Sequence, residues 1–254
     1  MYTNFTTDEA VGMLILDRSP ANSMNIEFLT ELNEILHRID KIDHIKVIIL
    51  SSAYSRIFSS GLDLRSLSGD DSRKTAANIF RAVELVYKIV TTILQSDKIF
   101  ISAISGAAIG SAVSIALSCD FCIGTSNAWF WLPDPQYGGL LADGGLDIVT
   151  HAVGASRARM MLLTNDRVDA CKARDWGLIY KLVDAGQLDN AALYEAKRIC
   201  SYSGDTLRYT KKLVNRHLQD KFHKYALMKV LQGNEVHMRL KRLLENWGER
   251  NVTH

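Results

Sequence analysis

Proline is scarce: three residues in 254, Pro20, Pro133 and Pro135, so no proline-rich or low-complexity linker separates two halves. Cysteine is scarce too, with Cys119, Cys122, Cys171 and Cys200. Cys119 and Cys122 have the C-x-x-C spacing of redox or zinc sites, but no second pair completes a metal set, and SCDFCIG reads as a strand. Charge of one sign is also missing. The formal net charge is +2, with Lys and Arg mixed among acids, so no basic stripe for nucleic acid emerges. No apolar run reaches the roughly 18 residues of a spanning helix. The N-terminus, MYTNFTTDEA, carries neither a basic n-region nor an Arg-rich presequence, so the expected location is cytoplasmic, away from the membrane.

What is present is ordinary for a globular chain: 47% apolar and 23% charged residues, with enough length to bury a substantial core. Strand-like runs at 11–17, 46–51 and 99–104 alternate with helical periodicities at 25–40 and 75–95. The segment 52–60 reads as polar and turn-like, and 62–67 as a short helix or turn. A helix rich in small residues spans 110–118, with strands expected at 120–124 and 128–132. This alternation is α/β logic. Beyond residue 145 the pattern turns helical, with segments at 146–153, 156–163, 170–176, 188–202, 206–218 and 222–247, and a possible strand at 178–183. The division expected is a core over 1–190 and a helical region over 191–254.

The stretch from Ala103 to Gly145 carries the chemistry. It places backbone N–H groups at a helix start after Gly110, and carboxylates downstream at Asp134, between two prolines, and at Asp143, before Gly144-Gly145. Orphan N–H groups at a helix start favour negative charge. A carboxylate beside them can move a proton while they stabilise the oxyanion that forms. Either aspartate is also a natural turn or cap residue. Asp63 reads as a cap for the helix after Gly61. Trp129 and Trp131 share one strand face, with Phe130 opposite. Core packing is the default reading for them, and Trp131 is near enough to Asp134 in sequence to wall a pocket. His151 on an apolar helix reads as structural.

FSSGLDL at 58–64, RSPANSMNIEFLTEL at 18–32, SAISGAAIGSAVSIALSCD at 102–120 and the late GASRARMMLLTNDRVDACKARDWGLIYKLVD together resemble the crotonase superfamily of enoyl-CoA hydratases and isomerases. Within it they look most like Δ3,Δ2-enoyl-CoA isomerases. The resemblance implies a spiral of ββα units, with the C-terminal helices driving a homotrimer or a hexamer built as a dimer of trimers. It implies an acyl thioester of coenzyme A as substrate, and neither a metal nor a redox cofactor.

Position by position, the resemblance makes the N–H groups of Leu62 and Ser111 an oxyanion hole, with Gly61 and Gly110 shaping it. Ser111 stands where the family usually has glycine. Ser114 falls where hydratases carry a catalytic Glu, which disfavours water addition. Asp134 falls at the remaining carboxylate and is one methylene shorter than the usual Glu. It would take a proton from C2 of a 3-enoyl thioester and return one at C4. Asp143 matches a carboxylate of dienoyl-CoA isomerases and β-diketone hydrolases, so those reactions stay open, as does a non-catalytic acyl-CoA-binding subunit. Asp63, Arg65 and Trp131 fall on the substrate side, with Arg65 near the CoA phosphates. A family lysine that helps hold CoA falls near Asn246, with Lys241 and Arg242 as nearby substitutes.

Overall fold

The computed structural model describes residues 1–251, with side chains through Asn246. The chain begins with a hairpin that its polar N-terminal sequence does not announce: β1 (Thr3–Asp8) pairs antiparallel with β2 (Val11–Leu16). From there β2, β3 (Val47–Ser52), β5 (Ile99–Ile104), β7 (Phe121–Thr125) and β10 (Lys181–Val183) run parallel. The resulting six-stranded sheet has the order β1-β2-β3-β5-β7-β10.

Its central strands are apolar on both faces because both faces are covered. Ile48, Leu50 and Phe100 point to the main core, against α1 (Ile26–Asp40) and α3 (Ser72–Gln95). Val47, Ile49, Ile99, Ile101 and Ala103, one residue out of phase, meet Leu188, Ala192, Ala196 and Ile199 of α7 (Leu188–Cys200). The 190/191 division passes through this helix, which covers the second face of the sheet.

A second, four-stranded sheet has the order β4-β6-β8-β9, made of β4 (Ile57–Ser59), β6 (Ala107–Ile109), β8 (Trp129–Trp131) and β9 (Val168–Asp169). Three successive pairs, β3–β4, β5–β6 and β7–β8, each send one strand to the large sheet and the next to the small one. A helix follows each pair: α2 (Leu64–Leu67) with α3, then α4 (Ser111–Ser118), then α5 (Gly145–Arg159). This is the expected ββα spiral. The corner between β5 and β6 needs Gly106, whose φ is +72°; a Cβ there would lie 1.9 Å from the Arg56 carbonyl oxygen.

Several local expectations are corrected. The stretch read as a turn at 52–60 contains β4, where Phe58 is wholly buried and the flanking serines mask the pattern. Cys119 is not in a strand: it ends α4, while Cys122 lies in β7. Both are free and buried, and burial pushes the Cys122 thiol up to about 12 and raises Cys119 as well. Among the described residues no group of His, Cys, Asp and Glu is arranged to hold a metal.

The helix expected at 222–247 is two, α9 (Lys224–Leu231) and α10 (Glu235–Asn251), broken around Gly233. The helices expected at 146–153 and 156–163 are α5 and a π-turn at Met160–Thr164, with the non-helical Gly154 (φ 78°) as the break inside α5. The 170–176 helix is α6 (Ala170–Trp176), and α8 (Gly204–Asn215) begins the segment expected at 206–218. Among the described residues no helix is long and apolar enough to cross a membrane.

Candidate active site

The loop before α1 fixes the first half of the site. Asn22 is fully buried with φ 49°, a left-handed conformation that Asn tolerates better than most residues. Its amide donates to Leu16 O, Ser52 Oγ and Phe58 O, while its Oδ1 accepts from the Arg18 N–H. Ser59 Oγ donates to Asn22 O and accepts from the Gly61 N–H. These groups clamp the end of β4 against the loop. Neither Asn22 nor Ser59 is singled out by sequence pattern, although an Asn inside a Pro-Ala-Asn-Ser turn was a usable signal.

The clamp is completed by a short parallel bridge between Met24 and Leu62. Met24 N–H donates to Gly61 O at 2.8 Å, and Asp63 N–H donates to Met24 O at 3.0 Å. In such a bridge the residue facing Met24 turns its own N–H the other way. The Leu62 N–H therefore points away from the loop. Asp63 is spent structurally, capping α2 through Ser66 N–H and pairing with Arg18 at 3.0 Å.

The second half is the start of α4. Gly110 has φ 55° and ψ −127°, and its N–H donates to Trp131 O at 2.8 Å. A Cβ there would touch nothing within 4 Å, so glycine is needed for conformation, not for room. Ser111 follows as the first helical residue, 5% exposed, and its N–H belongs to the first turn, where no intrahelical acceptor exists. Gly61 brings the two halves together. A Cβ on it would lie 2.4 Å from Ile109 O and 3.7 Å from Gly110 Cα, so the loop before Leu62 packs directly on the one before Ser111.

Asp143 lies beneath this helix start, 1% exposed. Its Oδ1 accepts from Ser114 Oγ at 2.8 Å and from Gly145 N–H at 3.0 Å, while Oδ2 is buried with no partner. Burial raises its pKa, against the hydrogen bonds from Gly145, Ser111 and Ser114 that hold it down. Gly145 must be glycine, since a Cβ there would sit 1.9 Å from Ser114 Oγ.

Asp134 opens a 3₁₀ turn (Asp134–Tyr137) after β8, and its carbonyl accepts from Gly139 N–H. The residue as a whole is only partly buried, but its Oδ2 is shut off from solvent and has no hydrogen-bond partner. Burial first, and the negative charge of Asp143 second, push its pKa up to about 7. A carboxylate poised there can accept and return a proton near neutral pH.

Asp134 stands in the wall of a cavity of about 340 Å³. Leu140, Leu141, Leu146, Ala158, Leu162 and Leu163 supply most of the remaining wall. The residues on and after α5 that face it, 146 and 150, then 155, 158, 159, 162 and 163, follow helical spacing on either side of the Gly154 break.

The other expected residues fall elsewhere. Trp131 does not line this cavity. Its indole N–H donates to Asn165 O at 2.9 Å, and Arg167 covers both Trp129 and Trp131 at 4.5 and 5.0 Å. The two tryptophans are half-buried under that guanidinium, while Phe130 points into the core. Arg65 is exposed on α2. Lys241 borders a separate cavity of about 430 Å³ between the 68–70 loop and α10, beside His237. His151 is exposed and faces a groove walled in part by α8, apart from Asp134.

Comparison with known proteins gives the family of the chain. The chain matches the enoyl-CoA hydratase/isomerase family over residues 6–237. It is 31% identical over 221 residues to a peroxisomal Δ(3,5)-Δ(2,4)-dienoyl-CoA isomerase of Arabidopsis thaliana, covering 83% of this chain and 79% of that one. It is 28% identical over 216 residues to a short-chain-enoyl-CoA hydratase of Clostridium acetobutylicum, covering 82% and 79%. Its fold superposes on human mitochondrial Δ3-Δ2-enoyl-CoA isomerase with a TM-score of 0.88 at 22% identity, covering 98% and 99%. From the ββα spiral through the match that spans nearly its whole length, the chain is an enzyme of the crotonase superfamily and belongs to the enoyl-CoA hydratase/isomerase family.

Proposed function

We propose that this enzyme shifts the double bond of an enoyl thioester of coenzyme A, with Asp134 moving the proton. The observation that carries this reading is a single one. Asp134 stands in the wall of an apolar cavity, and its carboxyl has one buried, unpartnered oxygen and a pKa pushed up to about 7. In the proposed cycle the thioester oxygen accepts from the N–H groups of Leu62 and Ser111. Asp134 takes a proton from C2 of the 3-enoyl chain, the electron pair delocalises into a dienolate, and the protonated Asp134 returns a proton at C4. The product is the 2-enoyl thioester, and the enzyme ends as it began. Two aimed backbone donors contribute about 10²–10³ in rate each.

Water addition would need a second carboxylate to activate the water. At that position Ser114 donates to Asp143 and carries no charge of its own. A longer shift across a diene is the second reading. It is favoured by the fully buried Asp143, which also has an unpartnered oxygen and which raises the pKa of Asp134. Coenzyme A binding along the Arg65 and Lys241 side, and assembly into homotrimers or hexamers, belong to the same proposal. The exposed Tyr202, Tyr209, Leu213 and Val214 give the C-terminal helices an apolar surface for such contacts.

The test is conversion of a 3-enoyl-CoA to its 2-enoyl isomer, with solvent deuterium entering the product, by the wild type and by Asp134→Asn and Asp143→Asn. Loss of about 10²–10⁴ in kcat for Asp134→Asn supports the assignment. Turnover retained in Asp134→Asn but lost in Asp143→Asn transfers the base to Asp143. Binding of CoA thioesters without turnover or exchange makes the chain a non-catalytic acyl-CoA-binding subunit.

A further inference from the structure

The cavity beside Asp134 has one cation in its wall, Arg159, and one hydroxyl, Thr150. Among the described residues every other member of the wall apart from Asp134 is apolar or glycine. Among the described residues some surface arginines are ion-paired, Arg174 with Asp175, Arg198 with Glu195, Arg208 with Asp205 and Arg239 with Glu235, while others, such as Arg38 and Arg81, are not. Arg159 makes no such ion pair or hydrogen bond among the described residues, and neither does the Thr150 hydroxyl. Both groups stand on the same wall as Leu146 and Ala158, because the Gly154 break re-aims the second half of α5 toward the cavity that the first half borders.

An apolar cavity lined by one unspent guanidinium suits an acyl chain that is apolar along its length and anionic at its far end. A guanidinium prefers a carboxylate as a planar, two-pronged partner, and such charge-assisted bonds are the strong ones. Among the described residues Asp134 is the only acid on the wall, and it is the group proposed for proton transfer. We propose that the substrate is an enoyl thioester bearing an ω-carboxylate, recognised by Arg159 with Thr150 beside it. This deepens the isomerase reading and rests on it for the reaction, though not for the binding preference.

The test therefore measures binding and turnover separately. By calorimetry, the coenzyme A monothioester of hexanedioic acid is compared with the thioester of hexanoic acid, on the wild type, Arg159→Met and Arg159→Lys. The expected result is a wild-type preference of about ten- to hundredfold for the carboxylate-bearing chain, the range for a hydrogen bond to a charged group. That preference falls to about one in Arg159→Met and is intermediate in Arg159→Lys. The matching 3-enoyl thioesters then give the same ranking in kcat/KM.

Equal wild-type affinity for the two chains overturns the proposal. So does a preference that survives in Arg159→Met, or a loss of affinity in Arg159→Met that is equal for both chains. The last result would mean that Arg159 holds the phosphates of coenzyme A. An Arg159-dependent binding preference with no isomerisation of either enoyl thioester leaves this proposal standing and removes the isomerase reading instead.

Discussion

Ser114 Oγ donates to Asp143 Oδ1 at 2.8 Å, both residues wholly or almost wholly buried. One buried serine hydroxyl thus supports one buried carboxyl. Gly145 seals the arrangement, because any side chain there would strike the Ser114 hydroxyl. Asp143 is the buried acid of this pair, and Ser114 holds one of its oxygens.

Ser114→Ala removes a donor from a buried carboxyl and is expected to destabilise the protein by about 1–3 kcal/mol. Ser114→Glu is expected to gain no hydratase activity. It would place a larger acid against Asp143 in a filled space, so it should also lower the thermal midpoint more than the alanine variant does. Thermal unfolding and a 2-enoyl-CoA hydration assay check both outcomes.

The pH dependence of Asp134 has opposite signs for stability and for activity. Its pKa of about 7 lies above the ordinary aspartate value of 3.8, so the folded state holds the proton more tightly than the unfolded one. Its contribution to stability is complete below about pH 4 and declines as the pH rises, until the folded carboxyl ionises near pH 7. Asp134→Asn lacks that decline, so its urea midpoint should gain on the wild type between pH 4 and 7. Over the same range the proposed base becomes ionised, and kcat/KM for a 3-enoyl thioester should climb to a plateau above about pH 7. Asp143→Asn removes a neighbouring charge and should move that limb to lower pH.

The two glycines of the proposed oxyanion hole should fail differently. Gly61→Ala drives a Cβ to 2.4 Å from the Ile109 carbonyl oxygen and forces the two loops apart, so both stability and turnover should fall. Gly110→Ala meets no atom within 4 Å, but it strains a backbone at φ 55° and ψ −127°. Its cost of about 1–3 kcal/mol should appear as lost kcat more than as a repacked core. Comparing thermal midpoint with kcat for the two variants separates clash from misaimed donor.

Lys211 lies on α8, 4% exposed, and its Nζ donates to Asp120 Oδ2 at 2.9 Å and to Lys98 O at 2.8 Å. Asp120 also accepts from the Phe100 N–H, so one ion pair ties the C-terminal helices to the ends of β5 and β7. Lys211→Met takes the cation from a partly exposed carboxylate that keeps its Phe100 donor, and should cost about 1–3 kcal/mol. Chemical denaturation of the variant measures that loss.

The amino-acid pattern alone determined the main elements and marked out the candidate site residues. The apolar runs of β2, β3 and β5 and the 3.6-residue periodicity of α1 and α3 are local properties, so a linear reading recovers them to within a few residues. Asp134, Asp143, Gly61 and Gly110 stand out for a similar reason, as residue types that a helix start or a tight turn makes conspicuous. The tertiary structure alone decided what lies beside what. Strands as short as β4 and β6 carry too few residues for a period to emerge, and they exist because neighbouring strands satisfy their backbone. Burial raises the pKa of Asp134, and the cavity wall it shares with α5 extends to Arg159, 25 residues along the chain. Trp131 is near Asp134 in sequence, yet strand alternation turns it toward Arg167 and away from the cavity. Ser114 and Asp143 meet only because α4 and the turn before α5 pack together. A hydrogen bond, a buried charge and a cavity wall depend on proximity in space, which the order of residues does not contain until the chain has folded.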